Sequence, residues 1–205
     1  MKLAFVTTFA TIALAAGLSG PAVAEQVTGA QAGNFKLTSM SGQTVELAQF
    51  KGKTVVLEWH NPGCPFVQKH YRGNMQKTQA AARAQGAVWL TINSGAPGKQ
   101  GHMSGAEAQA LVAKEKAMPT DYLLDPRGVV GTGYGAKTTP HMYIIDASGK
   151  LVYQGAIDDK PTADVADIAT ARNHVLAALD EMKAGKPVSV PESRPYGCSV
   201  KYPNS

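Results

Sequence analysis

The sequence is poor in cysteine and in clustered charge. Only 2 of its 205 residues are cysteine, which is too few for a disulfide-framework scaffold or for a cysteine-rich zinc site. Lys and Arg number 20 against 15 Asp and Glu, and the basic residues are scattered along the chain. Nucleic acid is therefore not an expected partner, because its binding requires clustered basic side chains.

Long apolar runs are also lacking beyond the first 24 residues. Met1-Lys2 gives a short positive start, residues 3–18 are mostly apolar, and Ala22-Val23-Ala24 has the small-x-small pattern of a cleavage site. We interpret residues 1–24 as a secretory signal peptide, with an uncleaved membrane anchor as the alternative. Cleavage after Ala24 would leave a protein without a membrane segment, in the periplasm or secreted, where disulfides persist.

The rest of the chain has the composition of a folded domain, with 44% apolar and 17% charged residues. We expect a short lead at 25–33, one α/β domain at 34–186 and an irregular tail at 187–205. Apolar runs at 54–59, 87–93 and 141–146 predict buried strands, and helices are predicted at 64–85, 104–117 and 162–183. This order predicts a central mixed β-sheet with helices on both faces.

Cys64 occupies the position that most favours chemistry. It follows the turn His60-Asn61-Pro62-Gly63 and stands at the predicted start of a helix. A thiol reacts as its thiolate, and the unpaired N–H groups at a helix start favour that anion. Lys69, His70 and His60 are further sources of positive charge near it. The alternative is an unreactive cysteine in the core.

These features resemble the thioredoxin fold and, more narrowly, the exported peroxiredoxin-like (AhpC/TSA-type) redoxins. The resemblance rests on the strand 55–59, the turn 60–63, Cys64-Pro65-Phe66-Val67 and Thr139-Pro140 before the hairpin 146–155, and it covers about residues 34–183. It implies a thiol oxidoreductase without a bound cofactor. It also implies that Cys64 is the reactive cysteine and that a cis proline, Pro140, faces it together with Thr139.

Two departures from the family pattern concern the residues around Cys64. Asn61 precedes it by three positions and Val67 follows it by three, so the chain has no CxxC dithiol. Asn61 also stands where a peroxiredoxin has threonine, and we expect it to polarise the thiolate or the incoming oxygen. Pro65 and Trp59 are expected to line the substrate-facing side of the site with Thr139-Pro140.

Cys198 lies in the irregular tail, and its role has three possible interpretations. A permanent disulfide with Cys64 would close a long loop and could stabilise the fold by up to about 4–5 kcal/mol. Alternatively, Cys198 on a mobile tail is a resolving cysteine that condenses with a sulfenic acid on Cys64. Pairing with another protein is the third.

Two reactions fit this pattern, namely reduction of a peroxide and thiol–disulfide exchange with another protein. Each requires a thiol electron donor. The alternative function is a non-enzymatic thioredoxin-fold module that binds copper or a protein partner and keeps a structural Cys64–Cys198 disulfide. Cys64 with His60, His70 and His141 would supply soft ligands for such a metal, although their spacing matches no zinc motif.

Overall fold

The computed structural model describes residues 26–205, so the predicted signal peptide lies outside the described residues. Within the described part of the chain, no helix is both long and apolar enough to cross a membrane.

A seven-stranded mixed sheet forms the centre of the molecule. Its strands are β1 (Lys36–Ser39), β2 (Thr44–Glu46), β3 (Val55–Trp59), β4 (Val88–Asn93), β5 (Asp121–Leu124), β7 (His141–Ile145) and β8 (Leu151–Gly155). They lie side by side in the order β2-β1-β5-β4-β3-β7-β8. A second, two-stranded sheet pairs β6 (Thr138–Thr139) with β9 (Cys198–Ser199). The predicted α/β architecture is therefore confirmed, with the apolar runs forming the inner strands.

The pairing of β3 with β7 places the turn 60–63, which leads to Cys64, beside the start of β7. β3 runs parallel to β4 and antiparallel to β7, and Trp59 lies opposite His141. The segments that follow β3 and precede β7 thus meet at one edge of the sheet. This brings Cys64 to Thr139 and Pro140.

In the described part of the chain, five α-helices pack around the sheet: α1 (Pro65–His70), α2 (Asn74–Ala84), α3 (Gly105–Glu115), α4 (Val129–Gly133) and α5 (His174–Lys183). The predicted helix 64–85 is divided at Gly73, which has a φ of 114° that an L side chain rarely adopts. A capping box starts α3 at the beginning of the predicted helix 104–117, because the Ser104 hydroxyl accepts from the Glu107 N–H and the Glu107 carboxylate accepts from the Ser104 N–H.

The prediction of one helix over residues 162–183 is wrong. A short 3₁₀-helix spans Val165–Ala169 and α5 begins only at His174. The Asn173 side chain accepts from the Leu176 N–H at 3.0 Å and so starts a new helix at that point. Val165 is 39% exposed, so the first part of the predicted helix does not pack on the core, whereas Val175 and Leu179 in α5 are buried.

The C-terminal tail is docked on the domain, whereas the sequence suggested a mobile segment. Upstream of Cys198, the N–H of Gln154 in β8 donates to Pro191 O and the N–H of Ser193 donates to Gln154 O, both at 3.1 Å. Downstream, Val200 is 4% exposed and the Tyr202 hydroxyl donates to a backbone carbonyl at 2.7 Å. The buried and hydrogen-bonded residues on both sides of Cys198 hold it in place. Detachment of the tail would break these hydrogen bonds and expose the buried side chains to solvent.

Candidate active site

Cys64 is the N-cap residue of α1, with Pro65 in the first helical position. Its backbone N–H donates to Asn61 O at 3.0 Å, which closes the turn between β3 and α1. The Cys64 side chain has no exposed surface, whereas Gly63 and Pro65 on either side of it are exposed. The sulfur therefore lies just beneath a thin part of the protein surface.

Thr139 connects Cys64 with the tail. The Cys64 thiol donates to the Thr139 carbonyl oxygen at 3.1 Å, and the Thr139–Pro140 peptide bond is cis, as the resemblance implied. Thr139 is also the register partner of Cys198 in the β6–β9 pair, and its hydroxyl donates to Cys198 O at 3.4 Å. Both cysteines are free thiols that meet beside one backbone carbonyl.

The two thiols differ in acidity. Burial raises the pKa of Cys64, but hydrogen bonds from the Cys198 side chain and from the N–H groups of Val67 and Cys198 outweigh it, so the pKa lies below its usual value. Burial and the neighbouring Cys64 sulfur raise the pKa of Cys198 to about 11. The thiolate is thus favoured at Cys64 and the protonated thiol at Cys198.

The histidines near the site are neutral, contrary to their suggested role as cations. Burial lowers the pKa of His60 to about 3 and that of His141 to about 3. Burial also lowers the pKa of His70 to about 4, although Asp158 opposes this shift. Stabilisation of the Cys64 thiolate therefore comes from hydrogen-bond donors.

The side chain of Asn61 contacts a loop. Its Oδ1 accepts from the Gly63 N–H at 2.9 Å, and its Nδ2 donates to the Gln100 side chain at 2.9 Å. Asn61 thus fixes the turn before Cys64 and attaches the glycine-rich loop 94–103 to it.

The other predicted site residues lie at different depths. Trp59 is fully buried, and its indole N–H donates to Ser94 Oγ at 3.1 Å. Trp59 therefore belongs to the core beneath the site, whereas Pro65 lies on the surface beside it. Thr139 and Pro140 are both buried against the sulfur and the tail.

Within residues 26–205, no group of three or more His, Cys, Asp and Glu side chains is arranged to hold a metal ion. His60 instead contacts the Tyr122 hydroxyl through Nδ1 at 2.8 Å, and His141 Nδ1 lies 3.2 Å from the Tyr143 hydroxyl. These partners orient the histidines into the core, so the geometry does not favour the copper-binding alternative.

One part of the site was missed by sequence reasoning. Tyr196, two residues before Cys198, contacts the buried side chains of Lys69, His70 and Asp158. The available signal was the Tyr-Gly-Cys triplet in an otherwise irregular tail. A tyrosine there is expected to bury its ring against the domain and to find a hydrogen-bond partner for its hydroxyl.

Comparisons with known proteins show the family of the chain. Residues 28–154 match the family model described as the AhpC/TSA family. A hypothetical protein from Sinorhizobium meliloti 1021 is 25% identical with a TM-score of 0.71, and the alignment covers 87% of this chain and 96% of that one. An uncharacterized conserved protein from Geobacillus kaustophilus is 28% identical with a TM-score of 0.73, over 92% and 100% of the two chains.

The thioredoxin domain of a thiol-disulfide oxidoreductase from Bacteroides vulgatus is 21% identical with a TM-score of 0.51, over 63% of this chain and 89% of that one, and it shows the fold alone. No curated protein matches. The fold and the site define a redoxin of the thioredoxin-like superfamily. More narrowly, the chain belongs to the AhpC/TSA family.

Proposed function

We propose that this protein reduces a small oxidant, a hydroperoxide, through Cys64, and that Cys198 resolves the oxidised sulfur. The observation that carries the proposal is the placement of both cysteines at Thr139, whose carbonyl oxygen accepts from the Cys64 thiol at 3.1 Å and whose register partner is Cys198. The pKa of Cys64 is lowered and that of Cys198 raised by this proximity. A thiolate with a second thiol already beside it can form a disulfide without a large movement of the chain.

The reaction then has three balanced steps. The Cys64 thiolate attacks one peroxide oxygen, the O–O bond breaks, and the leaving oxygen takes a proton to depart as water or an alcohol. Cys64 is now a sulfenic acid. The Cys198 sulfur attacks it, the S–O bond breaks, and the hydroxyl leaves as water with the Cys198 proton. An external thiol donor then supplies two electrons and returns both cysteines to thiols.

The burial of Cys64 favours a small oxidant. Its sulfur has no exposed surface and the tail lies against it, so a protein disulfide would have to displace the tail to reach it. A hydroperoxide has to pass only the thin surface at Gly63 and Pro65. We propose that Thr139 and Pro140 shape the other wall of this path.

Thiol–disulfide exchange is a second candidate, and two observations favour it. Cys198 is partly exposed, so a disulfide partner could react there first. The side-chain N–H of Asn61 is donated to Gln100, which leaves that amide unavailable for an incoming peroxide oxygen.

The test uses reduced protein and one equivalent of hydrogen peroxide, with the Cys64–Cys198 disulfide followed by peptide mapping. The Cys198→Ser variant should accumulate a sulfenic acid on Cys64 that dimedone traps, and Cys64→Ser should give neither product. A reaction no faster than that of free cysteine would overturn peroxide reduction. Rapid oxidation of the same protein by oxidised glutathione would then establish exchange.

We also propose export as the setting of this chemistry, because residues 1–24 have the signal pattern described above. Amino-terminal sequencing of the protein from its native cells should begin at Glu25. A first residue of Met1 in the exported fraction would contradict cleavage.

A further inference from the structure

Tyr196 of the tail inserts its hydroxyl into a buried polar cluster beside α1. The hydroxyl donates to Asp158 Oδ1 and lies 3.0 Å from His70 Nε2. The Tyr196 ring centroid lies 5.8 Å from the Lys69 ammonium, within cation–π range. One side chain of the tail therefore contacts three titratable residues of the domain.

Tyr196 supplies the cluster's contact with the tail, and its other hydrogen bonds come from the domain. Asp158 Oδ1 also accepts from the Lys160 N–H at 3.0 Å, Lys69 donates to Lys160 O at 2.9 Å, and His70 Nδ1 lies 2.8 Å from Asn74 Nδ2. The side chains of Lys69, His70 and Asp158 are at most 1% exposed. Asp158 Oδ2 has no hydrogen bond and lies 3.9 Å from both the Lys69 and the His70 nitrogens. Withdrawal of the Tyr196 hydroxyl would leave the buried Asp158 carboxylate with the Lys160 N–H and without its side-chain donor, which opposes the movement.

Tyr196 also packs on the helix that Cys64 starts. The rings of Tyr196 and Phe66 meet edge to face, with their centroids 5.8 Å apart. Phe66 lies two residues after Cys64, and Tyr196 lies two residues before Cys198. The anchor of the tail and the nucleophile thus share α1 as a common support.

Gly197 links Tyr196 to Cys198, and its backbone lies close against Thr139. Its φ is 130°, and a Cβ there would lie 2.0 Å from the Thr139 carbonyl oxygen. That oxygen also accepts the Cys64 thiol hydrogen. The tail backbone is therefore pressed against the atom that contacts Cys64, one residue before Cys198.

We propose that Tyr196 is a positioning residue for the reaction between Cys64 and Cys198, and that Lys69, His70 and Asp158 form its receptor. The proposal rests on the proposed function, in which Cys198 forms a disulfide with Cys64. Tyr196 touches neither reacting sulfur. It holds Cys198 at a high effective concentration beside Cys64, which favours the disulfide over the open dithiol.

The equilibrium with dithiothreitol measures that effective concentration. A thiolate of the protein attacks oxidised dithiothreitol, a mixed disulfide forms, and the second cysteine then displaces reduced dithiothreitol. Two electrons and two protons pass from the protein to the reagent. Maleimide labelling of the remaining thiols, followed by mass spectrometry, gives the ratio of disulfide to dithiol at each reagent ratio.

Tyr196→Phe keeps the ring on Phe66 and Lys69 but removes the hydroxyl. We expect it to shift the equilibrium toward the dithiol by about tenfold, the effect of one lost hydrogen bond to a charged group. Alkylation of Cys64 in the reduced variant should accelerate by a similar factor. Tyr71→Phe is the matched control, since the Tyr71 hydroxyl also donates to a carboxylate, that of Glu58, at 2.8 Å.

Tyr71→Phe should lower stability without changing the equilibrium by more than about twofold. A wild-type protein that forms no Cys64–Cys198 disulfide would overturn the proposed function and this proposal with it. A wild-type disulfide whose equilibrium is unchanged by Tyr196→Phe would overturn the positioning role alone. Should Tyr196→Phe fail to fold, Asp158→Asn replaces it, and an unchanged equilibrium in that variant overturns the proposal in the same way.

Discussion

The Cys64 thiol and the backbone carbonyl of Thr139 are joined by a hydrogen bond of 3.1 Å. Thr139 is also the residue that pairs with Cys198 in the β6–β9 sheet. Thr139 thus contacts Cys64 with its carbonyl oxygen, and it holds the tail through strand pairing and through its hydroxyl, which donates to Cys198 O. Any change that moves the tail therefore changes the surroundings of Cys64.

Removing the Cys198 thiol should raise the pKa of Cys64. Cys198→Ala eliminates the side-chain donor that stabilises the Cys64 thiolate, so alkylation by iodoacetamide should require higher pH. The control is Cys198→Ser, whose hydroxyl can still donate. The pH at half-maximal alkylation rate should rise more in the alanine variant than in the serine variant. Equal values in wild type and Cys198→Ala would show that the tail does not activate Cys64.

Two glycines near Cys64 should respond differently to a methyl group. Gly197→Ala would place a Cβ against the Thr139 backbone, so we expect a loss of about 1–3 kcal/mol in unfolding free energy and faster alkylation of Cys64. A Cβ in Gly63→Ala would lie 1.7 Å from the end of the flexible Gln100 side chain and 3.5 Å from Asn61 Oδ1, so Gln100 can rotate aside at the cost of its side-chain hydrogen bond to Asn61. Urea unfolding of both variants tests this, and equal losses would contradict the tight packing of the tail.

The sequence predicts the inner part of the fold well because burial selects recognisable residues. The run 54–59 became β3, with every residue of that strand buried, and such runs are typical of central strands. The helix predicted at 162–183 was wrong because Asp164 and Asn173 cap separate turns with their side chains. Short capping side chains favour helix starts wherever geometry allows, and periodicity does not report which starts are used.

The sequence predicts the local features of the candidate site but not the contacts between distant segments of the chain. Cys64 at a strand-to-helix turn carries a local signal, since a thiol at a helix start faces unpaired N–H groups. The meeting of Tyr196 with Asp158 joins two distant segments, and its contacts depend on how the tail crosses α1. Similarly, the Asn61 amide is engaged by Gln100, which lies in a loop without periodic pattern.

Glu58 in β3 should be a major source of stability. It is fully buried and accepts hydrogen bonds from the Tyr71 hydroxyl at 2.8 Å, the Trp89 indole at 2.8 Å and the Thr91 hydroxyl at 3.0 Å. Glu58→Ala leaves these donors unpaired and should cost at least about 3 kcal/mol, measured by urea unfolding. Glu58→Gln keeps one acceptor oxygen and should cost clearly less. Equal costs would mean that side-chain volume, not hydrogen bonding, is what matters at this position.

The buried His60 should make stability fall in mild acid. Burial lowers its folded-state pKa to about 3, whereas the unfolded value is about 6.5. Below about pH 6.5, His60 is therefore protonated in the unfolded chain, whereas it stays neutral in the folded protein until the pH approaches 3. The contribution of His60 is complete above pH 6.5 and is lost toward pH 3, at up to about 1.4 kcal/mol for each pH unit.

His60→Asn isolates this contribution, because all other titrating groups remain in both proteins. The asparagine amide can replace Nδ1 of His60 as the partner of the Tyr122 hydroxyl, which that nitrogen contacts at 2.8 Å. Between pH 6 and pH 4.5 the unfolding free energy of the wild type should fall more steeply than that of the variant, by roughly one proton's slope. Parallel curves would mean that His60 takes up a proton in the folded state as readily as in the unfolded chain.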